Sequence, residues 1–195
     1  FLAWSPSHSS TIVSCLEASR ENARAVRGSI TSEMWENIND TWLQLVAKRR
    51  GGGEQTDAAF FEWVKERSHL FRGITFATIR RDQPYQFIRL GTFLERADNT
   101  ARILSVKQAR EAAPGDGDGL TDYYRLSAVL RSVSSLEAYR DVYRDAIDSR
   151  RVAEMLIFDE TVPRSLRFCF DEIVRILGEL PQAPARAARR LAAHM

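Results

Sequence analysis

The residues best suited to chemistry stand together in one stretch, 89–106, "RLGTFLERADNTARILSV". It sets Glu95, Arg96, Asp98 and Arg102 within eight positions, with Thr100 between them and the small residues Gly91, Ala97 and Ala101 among them. Arginine forks grip carboxylates or phosphates with two prongs, and a carboxylate held beside them can act as a base. The pattern recurs in outline. A Leu-Glu pair is followed, seven residues after the Glu, by an Arg at three places: Glu17 and Arg24, Glu95 and Arg102, and Glu137 and Arg144. Paired Glu and Arg stripes facing a crevice would bind a small anionic or peptide ligand, with Arg20, Arg24, Arg96 and Arg102 as the grip and Glu17 or Glu95 as the base. The sequence fixes no nucleophile, metal or cofactor for such a reaction, so no catalytic residue is assigned and neither cofactor nor metal is expected.

The same spacing has two structural readings. Residues seven apart share a stripe on a helix but lie about 10 Å apart along its axis, too far for a direct bond. A Glu on one helix would instead reach an Arg on the next. Alternatively the segment is a solvated face, with Asp98 beside Arg102 at the favourable i,i+4 spacing. The two differ in energy: exposed pairs contribute about 0–1 kcal/mol, whereas removing one partner of a buried pair costs about 3–5 kcal/mol. On the cross-helix reading, Glu95→Gln lowers thermal stability.

Other candidate chemistry fares worse. Glu66-x-x-His69 matches half of a di-iron carboxylate pattern, but the full site needs a second such pair and two more Glu. His8 and His194 do not supply it, so His69 is read as structural. "DGDG" at 116–119 opens like a calcium loop, yet Leu120, Thr121 and Ser127 occupy positions that need a ligand, the Gly and the closing Glu. "RRGGGEQT" lacks the Gly-Lys-Ser/Thr ending of a phosphate loop. Cys15 and Cys169 fall in helical apolar patterns and read as packed, reduced thiols. The aromatic set Trp35, Trp42, Phe60, Phe61, Trp63, Phe71 and Phe76 reads as core packing.

The elements that carry these residues are helical throughout. Ser9 or Ser10 can cap a first helix whose face runs through Ile12, Leu16, Ser19, Ala23, Val26 and Ile30. Thr31 or Ser32 caps a second, with acids in its first turn and Lys48, Arg49 and Arg50 in its last, as the helix dipole favours; "GGG" at 51–53 stops it. A third starts near Thr56. Pro84 stands near the start of a fourth, which carries the Glu/Arg stretch to about Glu111. After the loop "APGDGDG" (113–119), "LTDYYRLSAVLRSVSSLEAYRDVYRD" reads as one helix, a short one follows from Ser149, and Pro163 opens the last. The first and fourth helices echo each other, Leu16 with Leu94, Ser19 with Ala97, Ala23 with Ala101 and Val26 with Leu104. The fold class is all-α, a bundle of about six to seven helices with repeated Leu-Glu-x6-Arg segments. Residues 1–180 form the domain, and 181–195 an Ala/Arg/Pro-rich basic tail.

Composition narrows the function classes. With 28 basic against 26 acidic residues the net charge is +2, too balanced to point to nucleic acid. Only Lys48, Lys65 and Lys107 among the basic residues are lysines, and arginine favours structured ion pairs over loose solvation. No apolar run reaches the roughly 18 residues of a membrane span, and the first ten residues lack the pattern of a secretory signal. The cytoplasm is the expected location.

"LGTFLERADNTARIL" resembles the defining segment of the bacterial alpha-E domain family, an all-helical family named for its glutamate–arginine motif. Three further segments are similar to family segments in the expected order: "SRENARAVRGSITSEMWENIND" (19–40), "VLRSVSSLEAYR" (129–140) and "RRVAEMLIFDETVPRSLRFC" (150–169). The resemblance carries motif status to Leu94, Glu95, Arg96, Ala97, Thr100, Ala101 and Arg102, and in the earlier segment to Arg20, Glu21, Asn22, Arg24, Glu33, Trp35 and Glu36. Thr92 stands where the family has Arg, and Gly28 where it has an acid, which implies that one ion pair of the usual set is absent. The resemblance also implies a further helix on the N-terminal side of family members, which would leave an apolar surface exposed here.

The function implied is that of a non-catalytic helical component of a bacterial peptide-ligating or peptide-modifying system, working with an ATP-grasp or transglutaminase-like protein. The alternatives are an enzyme acting through the Glu/Arg motif on a small anionic or peptide substrate, and an oligomerising structural protein, a homo-oligomer without ligand.

Overall fold

The computed structural model describes residues 3–5, 8–52, 57–111 and 119–180. Among these, all regular structure is helical: α1 (Ile12–Ala25), a 3-10 turn (Arg27–Ser29), α2 (Ser32–Gly52), α3 (Ala58–Thr78), α4 (Gln83–Glu111), α5 (Gly119–Ser132), α6 (Leu136–Tyr143), α7 (Ser149–Phe158) and α8 (Leu166–Glu179). The expected tail, 181–195, and most of the loop "APGDGDG" lie outside the described residues. Two compact units form, Phe1–Tyr85 and Gln86–Met195, the second beginning in the first turn of α4.

In the first unit α1 and α3 each pack against α2. Its core joins Ala3, Trp4, Val13, Leu45 and Phe60, with the Trp4 and Phe60 rings 4.9 Å apart. The α1 cap is Thr11 rather than Ser9 or Ser10. Its buried hydroxyl accepts from the Ser14 amide at 3.2 Å and lies 3.1 Å from the Ser5 carbonyl, so one side chain starts the helix and ties down the chain before it. Thr31 caps α2, accepting from the Met34 amide at 3.2 Å, and Asp57 caps α3 through the Phe60 amide at 2.8 Å. The second helix ends at Gly52, inside the glycine run.

The second unit holds two apolar clusters. One gathers Leu126, Leu130, Val133, Leu136, Tyr139, Val152, Met155, Leu156 and Val162 from α5, α6, α7 and the turn after them. The other sets Phe93 and Ala97 of α4 among Cys169, Ile173 and Ile176 of α8 and Leu180 beyond it. Here the single helix expected over 120–145 is two. Ser134 has φ 54°, its amide donates to the Arg131 carbonyl at 3.0 Å, and the next amide, of Ser135, reaches the Leu130 carbonyl at 2.8 Å. These paired bonds around a left-handed residue close a helix C-terminus, and the chain restarts as α6. The last helix opens at Ser165, which caps it through the Phe168 amide at 3.0 Å, two residues beyond the expected Pro163.

Candidate functional site

Along α4, Phe93, Ala97 and Thr100 recur at i, i+4 and i+7 and are buried, with Arg89 and Arg96 half-buried on the same stripe. The opposite side, Gly91, Leu94, Glu95, Asp98, Ala101, Arg102 and Ser105, is exposed. The motif is thus divided by the helix wheel into an inner and an outer half.

The inner half holds backbone. Thr100, fully buried, donates its hydroxyl to the Arg164 carbonyl at 2.8 Å. Arg96 Nη1 donates to the Pro163 carbonyl at 3.4 Å, and its guanidinium lies 5.4 Å from the Phe93 ring. Both acceptors belong to the turn between α7 and α8. Asp159 organises the start of that turn, accepting from the Thr161 amide at 2.7 Å, the Thr161 hydroxyl at 2.8 Å and the Val162 amide at 3.0 Å. Burial opposes ionisation of Asp159, but those hydrogen bonds outweigh it and hold the carboxyl below its ordinary range. Cys169, one turn into α8, is buried and its thiol is pushed up by burial against the opposing charges of Arg96 and Arg164.

The outer half faces solvent. Arg102 Nε donates to Asp98 at 2.7 Å, one turn back, and this acid raises the basicity of the exposed guanidinium. Glu95 accepts from Asn99 at 3.3 Å. The cross-helix Glu-to-Arg pairs expected from the spacing do not form. Glu17, Glu95 and Glu137 are exposed, and among the described residues none makes an ion pair. Glu95 projects from α4 on the side away from its packed stripe of Phe93, Ala97 and Thr100. The third repeat also departs from the helix it was expected to occupy, because Arg144 is the C-cap of α6 with φ 50°.

In the first unit, Arg20 is the α1 motif residue that reaches another helix, its Nε donating to Asn39 of α2 at 2.9 Å while Nη1 pairs with Glu21 at 2.7 Å. Arg24 lies 3.6 Å from Glu21 at the exposed surface, and Asn22 is exposed. The echo between α1 and α4 does not survive as equivalent burial: Ala23 is buried and Ala101 exposed, whereas Ser19 is exposed and Ala97 buried. Glu17, Arg20, Glu21, Asn22 and Arg24 stand in one unit, and Glu95, Arg96, Asp98, Thr100, Arg102, Glu137 and Arg144 in the other.

Struts between helices do exist, on residues the spacing did not single out. Arg89 Nη2 pairs with Glu172 of α8, both side chains mostly buried. Glu172 also receives Arg175, the larger influence, and the two arginines hold its carboxyl below the ordinary range despite burial. In the first unit Arg67 of α3 donates to Thr41 at 2.8 Å, the Asn37 carbonyl at 3.2 Å and Asp40 at 2.8 Å, all on α2. The signal for both is an arginine on an apolar stripe: Phe60, Trp63, Arg67 in one case and Arg89, Phe93, Arg96 in the other.

The dipeptide Glu-Arg occurs twice in the chain, at 66–67 and 95–96, and both copies are arranged alike. Each Glu is exposed, and each Arg turns inward to a backbone carbonyl of a neighbouring segment, Asn37 or Pro163.

Several other expectations are corrected. Cys15 is exposed rather than packed. His69 is exposed alongside Glu66, because their α3 positions face away from the Phe60 stripe. Phe61 and Phe76 are exposed too, the latter lying under Arg81, whose guanidinium is 4.7 Å from its ring and 4.2 Å from that of Tyr85. A cavity of about 460 Å³ opens beside α7, lined by Asp145, Ala146, Asp148, Arg150, Arg151 and Glu154; neither Glu137 nor Arg144 lines it. Two of its acids already have partners, Asp145 in Arg151 at 2.9 Å and Asp148 as the α7 cap. Among the described residues no cluster of three or more His, Cys, Asp or Glu could hold a metal ion, and no helix is long and apolar enough to cross a membrane.

A family model, Alpha-E, described as a predicted alpha-helical domain with a conserved ER motif, matches residues 1–195. No curated protein and no solved structure matches the chain.

Proposed function

The chain belongs to the Alpha-E family, and from that premise we propose that it is a non-catalytic helical component of a bacterial peptide-ligating or peptide-modifying system, serving an ATP-grasp or transglutaminase-like partner. One observation carries the non-catalytic reading. The arginine of the motif and Thr100 are engaged with the carbonyls of Pro163 and Arg164, so the polar groups best placed to grip a substrate are holding the fold. The outward acid Glu66 remains available to a partner surface. Solvated charges of this kind steer and orient protein encounters more than they set affinity.

Co-purification of the full chain from native cells tests the reading. Stable recovery of an ATP-grasp or transglutaminase-like protein supports it. Turnover of ATP and amino acids by the isolated chain overturns it.

A further inference from the structure

The outer face of α4 has a regularity that the packing of its own unit does not use. Phe87, Gly91, Leu94, Asp98, Ala101 and Ser105 follow one another at alternating spacings of four and three residues. That 3.5-residue period is the seam of a helix meant to lie along another helix. Phe87 is 59% and Leu94 51% exposed, large values for apolar side chains. A methyl group built at Gly91 would meet nothing within 4 Å, and glycine in an exposed helix interior costs about 1 kcal/mol relative to alanine.

We propose that this face is the contact between two copies of the chain, with their α4 helices antiparallel across a two-fold axis. The charges beside the seam select that occupant. Glu95 and Arg102 flank the seam on one side, seven residues and about 10 Å apart. In an antiparallel pair, residues on the same side of the seam meet across it. An axis midway between positions 95 and 102 therefore sets each Glu95 opposite the second copy's Arg102, twice over, as an isologous contact requires. A parallel pair would instead set this flank against the opposite one, where Ala97 and Leu104 stand. The donors are available: Arg102 holds Asp98 through Nε alone, which leaves its two terminal nitrogens to face Glu95 of the second copy. Small residues at Gly91, Ala101 and Ser105 let the two backbones approach. Four carboxylates then share two guanidiniums near the axis, and the contact is one helix wide, so association is of the weak, concentration-dependent kind. The inference goes beyond the proposed function and does not rest on it.

Charge reversal on the full chain tests it by sedimentation equilibrium across a concentration series, with circular dichroism checking that each variant folds. The parent forms a dimer. Glu95→Arg and Arg102→Glu each weaken self-association by about tenfold or more, because like charges now oppose. An equimolar mixture of the two variants recovers the dimer as a heterodimer, since every Arg again faces a Glu. A parent that is monomeric at every concentration overturns the proposal and leaves the seam to a partner of different sequence. Folded variants that dimerise like the parent, or a mixture that fails to recover, overturn it equally.

Discussion

The hydroxyl of Thr100, in the middle of α4, donates to the carbonyl of Arg164, sixty-four residues further along the chain, at 2.8 Å. One turn earlier on the same side, Arg96 donates to the neighbouring carbonyl of Pro163. Together they fix the turn from which α8 departs, and with it the packing of Phe93 and Ala97 on that helix.

Thr100→Val keeps the shape of the side chain and leaves the half-buried Arg164 carbonyl without its donor, and is expected to cost about 1–2 kcal/mol. Arg96→Met should cost a similar amount. Glu95→Gln, by contrast, should stay within about 0.5 kcal/mol of the parent, as exposed substitutions do. Urea denaturation at high dilution, where self-association plays no part, measures all three; a loss at Glu95 equal to that at Thr100 would contradict the inner and outer division of the motif.

The carboxylate of Glu172, held by Arg175 and by Arg89, gives stability a defined pH dependence. The carboxyl of Glu172 is held below its ordinary value in the folded protein. Its contribution is therefore fully present above the unfolded value of about 4.3 and is lost as pH falls through the folded one. Glu172→Gln is expected to cost about 1.5–3 kcal/mol at neutral pH, and the gap from the parent should narrow on acidification below about pH 4. Urea midpoints at several pH values check this, and a gap independent of pH would rule the ion pair out as the cause.

Ser134 holds a left-handed conformation that a side chain makes costly by about 1–2 kcal/mol. Ser134→Gly removes that cost while adding freedom to the unfolded chain. A net gain of about 0.5–1 kcal/mol is expected, read as a rise in the thermal midpoint. Ser134→Val should lower it.

The two thiols should behave differently. Cys15 is exposed and Cys169 buried, with burial raising the thiol above its ordinary value. A thiol reagent in native buffer should modify one group rapidly, and the second only when denaturant is added. Mass mapping of the modified peptide assigns each.

The helices were legible because apolar residues recur at helical spacing over long windows, and the acids, basic last turn and capping Thr31 of α2 all agree with one another. The break at 133–135 was not, since it depends on a left-handed serine where glycine would ordinarily announce it. The caps at Thr11 and Ser165 were displaced by a few residues from those expected, because hydroxyl-bearing or proline alternatives stand close by in sequence and only the packed chain chooses among them. Counting seven residues from each Glu identified a stripe but not its direction. Arg89 and Arg67 became partners of Glu172 and Asp40 through packing that local spacing does not encode.

Arg96 finds an acceptor in main chain, the carbonyl of Pro163. Every amino acid supplies the carbonyl that Arg96 or Thr100 needs, so positions 163 and 164 can change identity without silencing either bond, provided the turn keeps its path. The donors have no such latitude. Drift over generations should therefore be lopsided, with fixed donors at 96 and 100 facing receptor positions that vary freely, and searches for residues at 163 and 164 covarying with those donors should come back empty even though the contacts are real.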